Sequence, residues 1–182
     1  MENGLLSSLP YLGKYLCALA SSVLADSLRR TGRLSTTTAR KLFTGLAVGL
    51  PGLMMIAQAF FGHDRVWSIA IFTFALTING AVTAGYLGNG LDIAPKFSGT
   101  IFGIANTLSS LCGWLSTLMV GELTKHHNTY EQWQIVFFIL ATTYICGALV
   151  FVIFGTGELQ HWNSTPQPPT KHEEQPLNEE KA

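Results

Sequence analysis

The stretch GYLGNGLDIAPKFSG, residues 85–99, separates two long apolar parts of the chain and carries four glycines, one proline, one aspartate and one lysine. Pro95 disfavours a helical conformation at Ala94, and Ser98 is a favourable N-cap for a new helix. The stretch therefore predicts a short polar turn between two helices. Both flanking apolar runs are long enough to span a bilayer.

The composition of the whole chain favours lipid as its main solvent. Of the 182 residues, 48% are hydrophobic and 12% are charged, whereas soluble domains carry about 25% charged residues. The formal net charge is zero, which argues against a nucleic-acid partner. The three cysteines lie inside apolar runs and are interpreted as packing residues.

Five apolar runs reach the length of about 20 residues that a helix needs to cross the hydrocarbon core. Unpaired backbone groups are unfavourable in lipid, so each run is predicted to be an α-helix. The predicted fold is an all-α, polytopic membrane helix bundle with five transmembrane helices, in a domain of residues 1–158. The spans are residues 5–25, 42–62, 66–91, 98–121 and 134–155.

The basic residues of the connections are distributed asymmetrically. Arg65 and Lys125 lie on one side of the predicted bundle, whereas eight basic residues lie on the other. The positive-inside rule places that second side in the cytosol, so the N-terminus is predicted outside or in a lumen and the C-terminus in the cytosol. The eight are Arg29, Arg30, Arg33, Arg40, Lys41, Lys96, Lys171 and Lys181.

Residues 159–182 are polar, proline-rich and acidic, and are predicted to form a disordered cytosolic tail. The triplet Asn163-Ser164-Thr165 matches a glycosylation sequon. A cytosolic location predicts that this sequon stays unmodified.

One face of the fourth predicted span is small throughout. Small residues let membrane helices approach closely where lipid offers no hydrophobic drive for association. A static bundle, a channel, a receptor and a transporter are all compatible with such a face. Its members recur every three or four residues: Gly99, Gly103, Asn106, Ser110, Gly113, Thr117 and Gly121.

Three polar residues lie deep within predicted spans. Lys14 is about 18 Å from Asp26 along its helix, near the middle of the bilayer, where a lysine costs about 2.5–3.5 kcal/mol. Contact with an anion, snorkelling and pairing with a carboxylate are its open interpretations. Asn79 and Asn106 are candidates either for interhelical hydrogen bonds or for the lining of a substrate cavity.

No sequence motif indicates an enzyme or a cofactor. The chain has no nucleophile elbow, phosphate-binding glycine loop or intramembrane zinc motif. The adjacent His126 and His127 fall in a polar outer loop, and no metal site is predicted there.

The two connections on the predicted cytosolic side suggest a gate. Asp26 is placed to interact with the N-terminus of the fourth span, where a carboxylate is favourable. Arg29, Arg30 and Arg33 are placed to pair with Asp92. The alternative is that these arginines only fix the topology.

Four segments of the chain resemble the anion-cation symporter family of the major facilitator superfamily. This family includes sialin, vesicular glutamate transporters and sodium–phosphate cotransporters. The segments are NGLLSSLPYLGKYL (3–16), ADSLRRTGRLSTTTARK (25–41), GYLGNGLDIAPKFSGTIFGIANT (85–107) and FGTGELQHW (154–162).

The resemblance implies a transporter of twelve helices in two halves, with the five spans as its last five helices. Asp26, Arg29 and Arg30 match a gating motif of the superfamily. The implied substrate is an organic or inorganic anion carried with sodium or a proton, in a plasma, lysosomal or vesicular membrane. Because alternating access requires two halves, the expected partner is a missing N-terminal half. The alternative is a non-transporting protein that pairs with a full-length homologue.

Overall fold

The computed structural model describes residues 2–125 and 129–163, and the side chains of the first helix from residue 8 onward. This part of the chain is helical and contains no β-strand. Its α-helices are, in chain order, α1 (Glu2–Arg30), α2 (Thr36–Thr44), α3 (Leu50–Phe61), α4 (Arg65–Asn79), α5 (Tyr86–Ile93), α6 (Ser98–Thr124) and α7 (Tyr130–Phe154).

The predicted membrane helix bundle is confirmed. Four helical segments of the described residues are long and apolar enough to cross a bilayer. Helix α1, which contains the first of the five predicted spans, is not among them: it has 29 residues, a length of about 43 Å, but Lys14 and several serines make it less apolar than the others. The four segments are Thr36–Phe61, Arg65–Ile93, Pro95–Thr124 and Tyr130–Phe154.

The second span contains a π-helical turn, Gly45–Gly49, between α2 and α3. Pro51 lies just beyond this turn. In a regular α-helix the carbonyl of Ala47 accepts the N–H of residue 51, and proline has no N–H to donate. The chain therefore leaves regular α geometry in the middle of this span.

The third span is also interrupted. A 3-10 turn, Gly80–Thr83, separates α4 from α5, whereas the sequence predicted one run over residues 66–91. Gly80 lies directly against the backbone of α1, because a side chain there would collide with the carbonyl oxygen of Lys14. Glycine at this position allows α1 and the third span to touch.

Small side chains dominate the core of the bundle. Helix α1 packs along α4 and the 3-10 turn, and α3 packs between α4 and α7. The two buried apolar clusters contain Ala25, Phe43, Ala47, Ala81, Val82 and Ala84 in one, and Met55, Ala59, Ala75, Phe137 and Ala141 in the other.

Helix α6 stands apart from this core. No residue of α6 is buried, and its contacts are with α5, α7 and the turn at Pro95–Phe97. The positions where Gly99, Gly103, Gly113 and Gly121 would carry a side chain are open, with no atom within 4 Å. The small face predicted for this span is therefore present and has no partner among the described residues.

Three sequence predictions need correction. Helix α1 continues to Arg30, five residues beyond the predicted end of the first span at residue 25. Ser98 does not cap α6, because its hydroxyl donates to the carbonyl of Pro95 at 3.0 Å and no side-chain hydrogen bond caps that helix. Residues 159–163, which were assigned to the disordered tail, are packed against the bundle.

The packed segment after α7 is called the C-terminal strap, residues 155–163. The N–H of Gln160 donates to the carbonyl of Ile93 at 2.9 Å, and the buried amide oxygen of Asn163 accepts the N–H of Lys96 at 3.1 Å. Trp162 packs on Phe97 with 6.0 Å between ring centroids. Of the predicted tail, residues 164–182 lie outside the described residues.

Candidate functional site

The carboxylate of Asp92 joins three helices at the end of the bundle that is predicted to be cytosolic. Its Oδ2 accepts the Nε–H of Arg40 at 2.6 Å, and its Oδ1 accepts from Arg29 at 3.4 Å. Arg40 also donates to the carbonyl of Ala84 at 2.6 Å. We call Asp92, Arg29 and Arg40 the Asp92 cluster. It ties α1, α2 and α5 together.

Local structure explains why these groups meet. The hydroxyl of Ser35 accepts the N–H of Thr38 at 3.1 Å and starts α2, so Arg40 follows one turn into that helix. Gly88 on α5 lies under the guanidinium, and a side chain at Gly88 would collide with it. The side chains of Arg40 and Asp92 keep only 11% and 16% of their exposure. Such a shielded pair is strongly coupled, because removing one partner leaves an uncompensated charge.

Only part of this cluster was predicted from the sequence. The predicted contact between Arg29 and Asp92 is present, but Arg40 was counted only as a topology signal. In the structure Arg40 and Asp92 lie inside the second and third spans, Thr36–Phe61 and Arg65–Ile93, whereas the predicted spans 42–62 and 66–91 left both residues in the connections. Arg30 is exposed, and the described ion pair of Asp26 is with Arg29 on the same helix at 4.0 Å.

A cavity of about 630 Å³ lies between the second span, α5, α6 and α7. Its wall includes both Asn79 and Asn106, which the sequence proposed as cavity-lining residues. The described lining contains hydrogen-bonding groups and no charged side chain. The lining residues are Thr44, Val48, Asn79, Tyr86, Leu87, Asn89, Gly90, Ile93, Ile101, Phe102, Ala105, Asn106, Ser109, Tyr144, Gly147 and Phe151.

The three deep polar residues have different surroundings. The amide of Asn79 donates to the carbonyl of Ala47 at 3.2 Å, so Asn79 is an interhelical hydrogen-bond donor as well as a lining residue. Asn106 is exposed on α6. Lys14 is half-buried on α1 and does not line the cavity that holds the two asparagines.

A second polar group, at the opposite end of the bundle, was missed by the sequence analysis. Gln58 is 2% exposed and donates to the hydroxyl of Ser68 at 2.6 Å. Tyr130 and Gln134 donate to the carbonyl of Ala59 at 3.1 and 2.7 Å. These bonds tie the C-terminus of α3 to α4 and α7. An isolated glutamine near the end of an apolar run gave no sign of this role.

No cluster of three or more histidine, cysteine, aspartate or glutamate side chains with metal-binding geometry occurs in residues 2–125 and 129–163. His126 and His127 lie outside the described residues.

The chain is similar to several curated transporters, while no family model matches it. It is 38% identical to human sialin over 161 residues, which is 88% of this chain and 32% of sialin. It is 38% identical to the "Putative inorganic phosphate cotransporter" of Drosophila ananassae over 180 residues, 98% of this chain and 36% of that protein. Vesicular glutamate transporter 2.1 of Danio rerio is 35% identical over 159 residues, 87% of this chain and 27% of that protein.

The similarity covers nearly all of the chain, and the chain spans about a third of the length of these curated relatives. The alignment with the Drosophila protein covers 98% of this chain. The helices, the small-residue contacts and the four quoted segments therefore lie within the aligned region. The chain is therefore a relative of the anion-cation symporters, the group of sialin, phosphate cotransporters and vesicular glutamate transporters.

Proposed function

We propose that this chain is part of a membrane symporter that moves an anionic small molecule, organic or inorganic, together with sodium or a proton. The similarity to named anion transporters carries the proposal. The Asp92 cluster supports it, because a shielded ion pair that joins three helix ends is suited to open and close as helices move. On this proposal the protein has no enzymatic activity and lies in the plasma membrane or in a lysosomal or vesicular membrane.

Roles follow for the predicted site residues. Lys14 supplies positive charge to the anion from within the membrane, where a cation requires a partner or a function. Asn79 and Asn106 line the path with neutral hydrogen-bonding groups. Asp26, Arg29, Arg30 and Asp92 form the gate predicted from sequence, and Arg40 is added to it. The remaining helices of the transporter come from a longer protein or from a full-length homologue.

Uptake by the full-length gene product that contains this chain tests the proposal. Labelled sialate, glutamate and phosphate are supplied to reconstituted vesicles under a sodium gradient or a proton gradient. We expect one anion to accumulate under one of the two gradients. No gradient-driven accumulation of any of the three would contradict the proposal for these substrates.

The change Lys14→Ala tests the anion contact within the same assay. Loss of a charged hydrogen-bond partner is expected to weaken apparent affinity about tenfold or more, with Lys14→Arg retaining more of it. Lys125→Ala is the matched control, because Lys125 is an exposed lysine paired with Glu122 at 3.4 Å. Unchanged affinity in Lys14→Ala would remove Lys14 from the substrate site.

A second function is favoured by one observation, the open small-residue face of α6. A helix face of this kind is suited to pack against another membrane helix. The alternative proposal is therefore a non-transporting protein that pairs with a full-length homologue. Co-purification with such a homologue, with no uptake by the chain alone, would support this alternative.

A further inference from the structure

Two irregular turns lie side by side in the bundle. One is the π-helical turn Gly45–Gly49 in the second span, and the other is the 3-10 turn Gly80–Thr83 in the third. The two turns are in contact. Irregular backbone inside a membrane helix persists where neighbouring groups satisfy the freed polar atoms.

Asn79 provides such a group. It is the last residue of α4, directly before the 3-10 turn, and its amide donates to the carbonyl of Ala47 at 3.2 Å. Ala47 is fully buried in the middle of the π-helical turn. Because Pro51 has no N–H, the Asn79 amide replaces the donor that a regular helix would supply to this carbonyl.

A second contact joins residues just outside the two turns. Thr44 precedes the π-helical turn and is 2% exposed. Gly85 follows the 3-10 turn, and a side chain there would lie 2.7 Å from the hydroxyl and 2.9 Å from the backbone nitrogen of Thr44. The π-helical turn therefore meets residues on both sides of the 3-10 turn: Asn79 at its middle residue, Ala47, and Gly85 at Thr44, just before its start.

We infer that Asn79 is a positioning residue that couples these two turns, so that the second and third spans change conformation together. Asn79 and Thr44 also line the cavity between α5, α6 and α7. A change in the turns therefore changes the shape of the cavity wall. This inference rests on the proposed transport function only for its uptake test.

A double-mutant cycle with Pro51 tests the coupling. Asn79→Ala removes the donor to Ala47, and Pro51→Ala provides a backbone N–H that is able to replace it. The measurement is made on the full-length gene product in lipid nanodiscs. Asn79→Ala is expected to raise the amide hydrogen-exchange rates of residues 45–52 and 80–85 about fivefold, as the loss of one hydrogen bond predicts. In the Pro51→Ala background, Asn79→Ala is expected to raise exchange in residues 45–52 much less.

Asn106→Ala is the matched control, since it makes the same change in the same cavity without a bond to the π-helical turn. We expect it to leave exchange in both segments unchanged. An Asn79→Ala effect confined to residues 80–85, or equal in the two Pro51 backgrounds, would overturn the inference. If Asn79→Ala does not accumulate, Asn79→Ser keeps a small polar side chain that is too short to reach Ala47, and the same exchange pattern is expected.

Uptake kinetics separate positioning from substrate contact. We expect Asn79→Ala to lower the maximal uptake rate about fivefold with the half-saturating substrate concentration unchanged. A raised half-saturating concentration at an unchanged maximal rate would show that Asn79 binds substrate and would overturn the positioning role. A wild-type protein without uptake contradicts the proposed function, while the exchange experiment still decides the coupling.

Discussion

At the scale of single residues, the pairing of Arg29 with Asp92 was predicted from the sequence, whereas the pairing of Arg40 with Asp92 was not. The sequence predicted a contact between Asp92 and Arg29, because these opposite charges lie in two connections on the same side of the membrane. It did not predict that Arg40 joins them. That pairing depends on the space that Gly88 leaves for the guanidinium and on the carbonyl of Ala84, which accepts a hydrogen bond from Arg40. Both features arise only when α2 and α5 pack.

The Asp92 cluster predicts a large effect of Arg40→Ala. The change leaves the carboxylate of Asp92 shielded with only the longer contact to Arg29, and such losses cost about 3 kcal/mol of unfolding free energy. Arg40→Lys is expected to recover part of this, since lysine keeps the charge without the two directed bonds. Unfolding of the detergent-solubilised full-length protein provides the measurement.

The control for this prediction is Arg33→Ala. Arg33 lies exposed in the same connection, and surface changes of this kind alter unfolding free energy by about 0.5 kcal/mol or less. Equal stabilities of the Arg40 and Arg33 variants would show that the cluster does not stabilise the fold.

At the scale of helices, the sequence predicted where the spans lie but not where they are irregular. Apolar runs of the required length located α6 and α7 to within four residues and the third span, Arg65–Ile93, to within two, whereas the second span begins six residues before its predicted start. The π-helical turn and the 3-10 turn depend on contacts between spans, such as Asn79 with Ala47 and Gly80 with Lys14. A pattern read along one span carries no information about those contacts.

The close approach of α1 to the third span predicts that Gly80→Ala is destabilising. The new methyl group would meet the backbone of Lys14 and Ala18, and overpacking of this kind costs about 1–3 kcal/mol of unfolding free energy. Gly147→Ala is the matched control, because its position is open, with no atom within 4 Å. Comparable unfolding midpoints for the two variants would contradict the close approach.

The C-terminal strap predicts a local effect of Asn163→Ala. Loss of the amide oxygen that accepts the Lys96 N–H costs about 1 kcal/mol, and Trp162→Ala removes the packing on Phe97. We expect faster proteolysis within residues 155–163 in both variants. Leu159→Ala, at an exposed position, is expected to be cleaved at the wild-type rate. Equal cleavage of all three variants would mean that these contacts do not hold the strap.

At the scale of the whole molecule, the contrast between two sets of glycines is informative. Gly45 and Gly49 lie 3.6 and 3.8 Å from side chains of α7 at their Cβ positions, whereas the glycines of α6 face open space. Glycines on one helix face let membrane helices approach closely. Only the first set finds its partner within the described chain.

This contrast predicts different consequences for Gly103→Leu in two settings. In the chain expressed alone, the side chain enters open space and membrane accumulation is expected to stay at the wild-type level. In the full-length gene product, where the proposed symporter supplies further helices, we expect accumulation to fall. An equal response in the two settings would indicate that the α6 face meets lipid.

The proposal of a longer symporter also predicts the size of the natural product. An antibody raised against residues 166–181 is expected to detect a membrane protein much larger than the 19.8 kDa of this chain. A stable product near that mass would instead favour the non-transporting alternative.

The buried amide of Asn163 has a consequence for how the orientation of this protein is established. Asn163 is 6% exposed, and its amide oxygen accepts the N–H of Lys96 at 3.1 Å. A glycan on this amide would not fit beside these contacts, so a chain glycosylated at the natural sequon is expected to lack the packed strap. A glycan-mapping experiment will report the sidedness of the packed chain only from an acceptor engineered away from the strap.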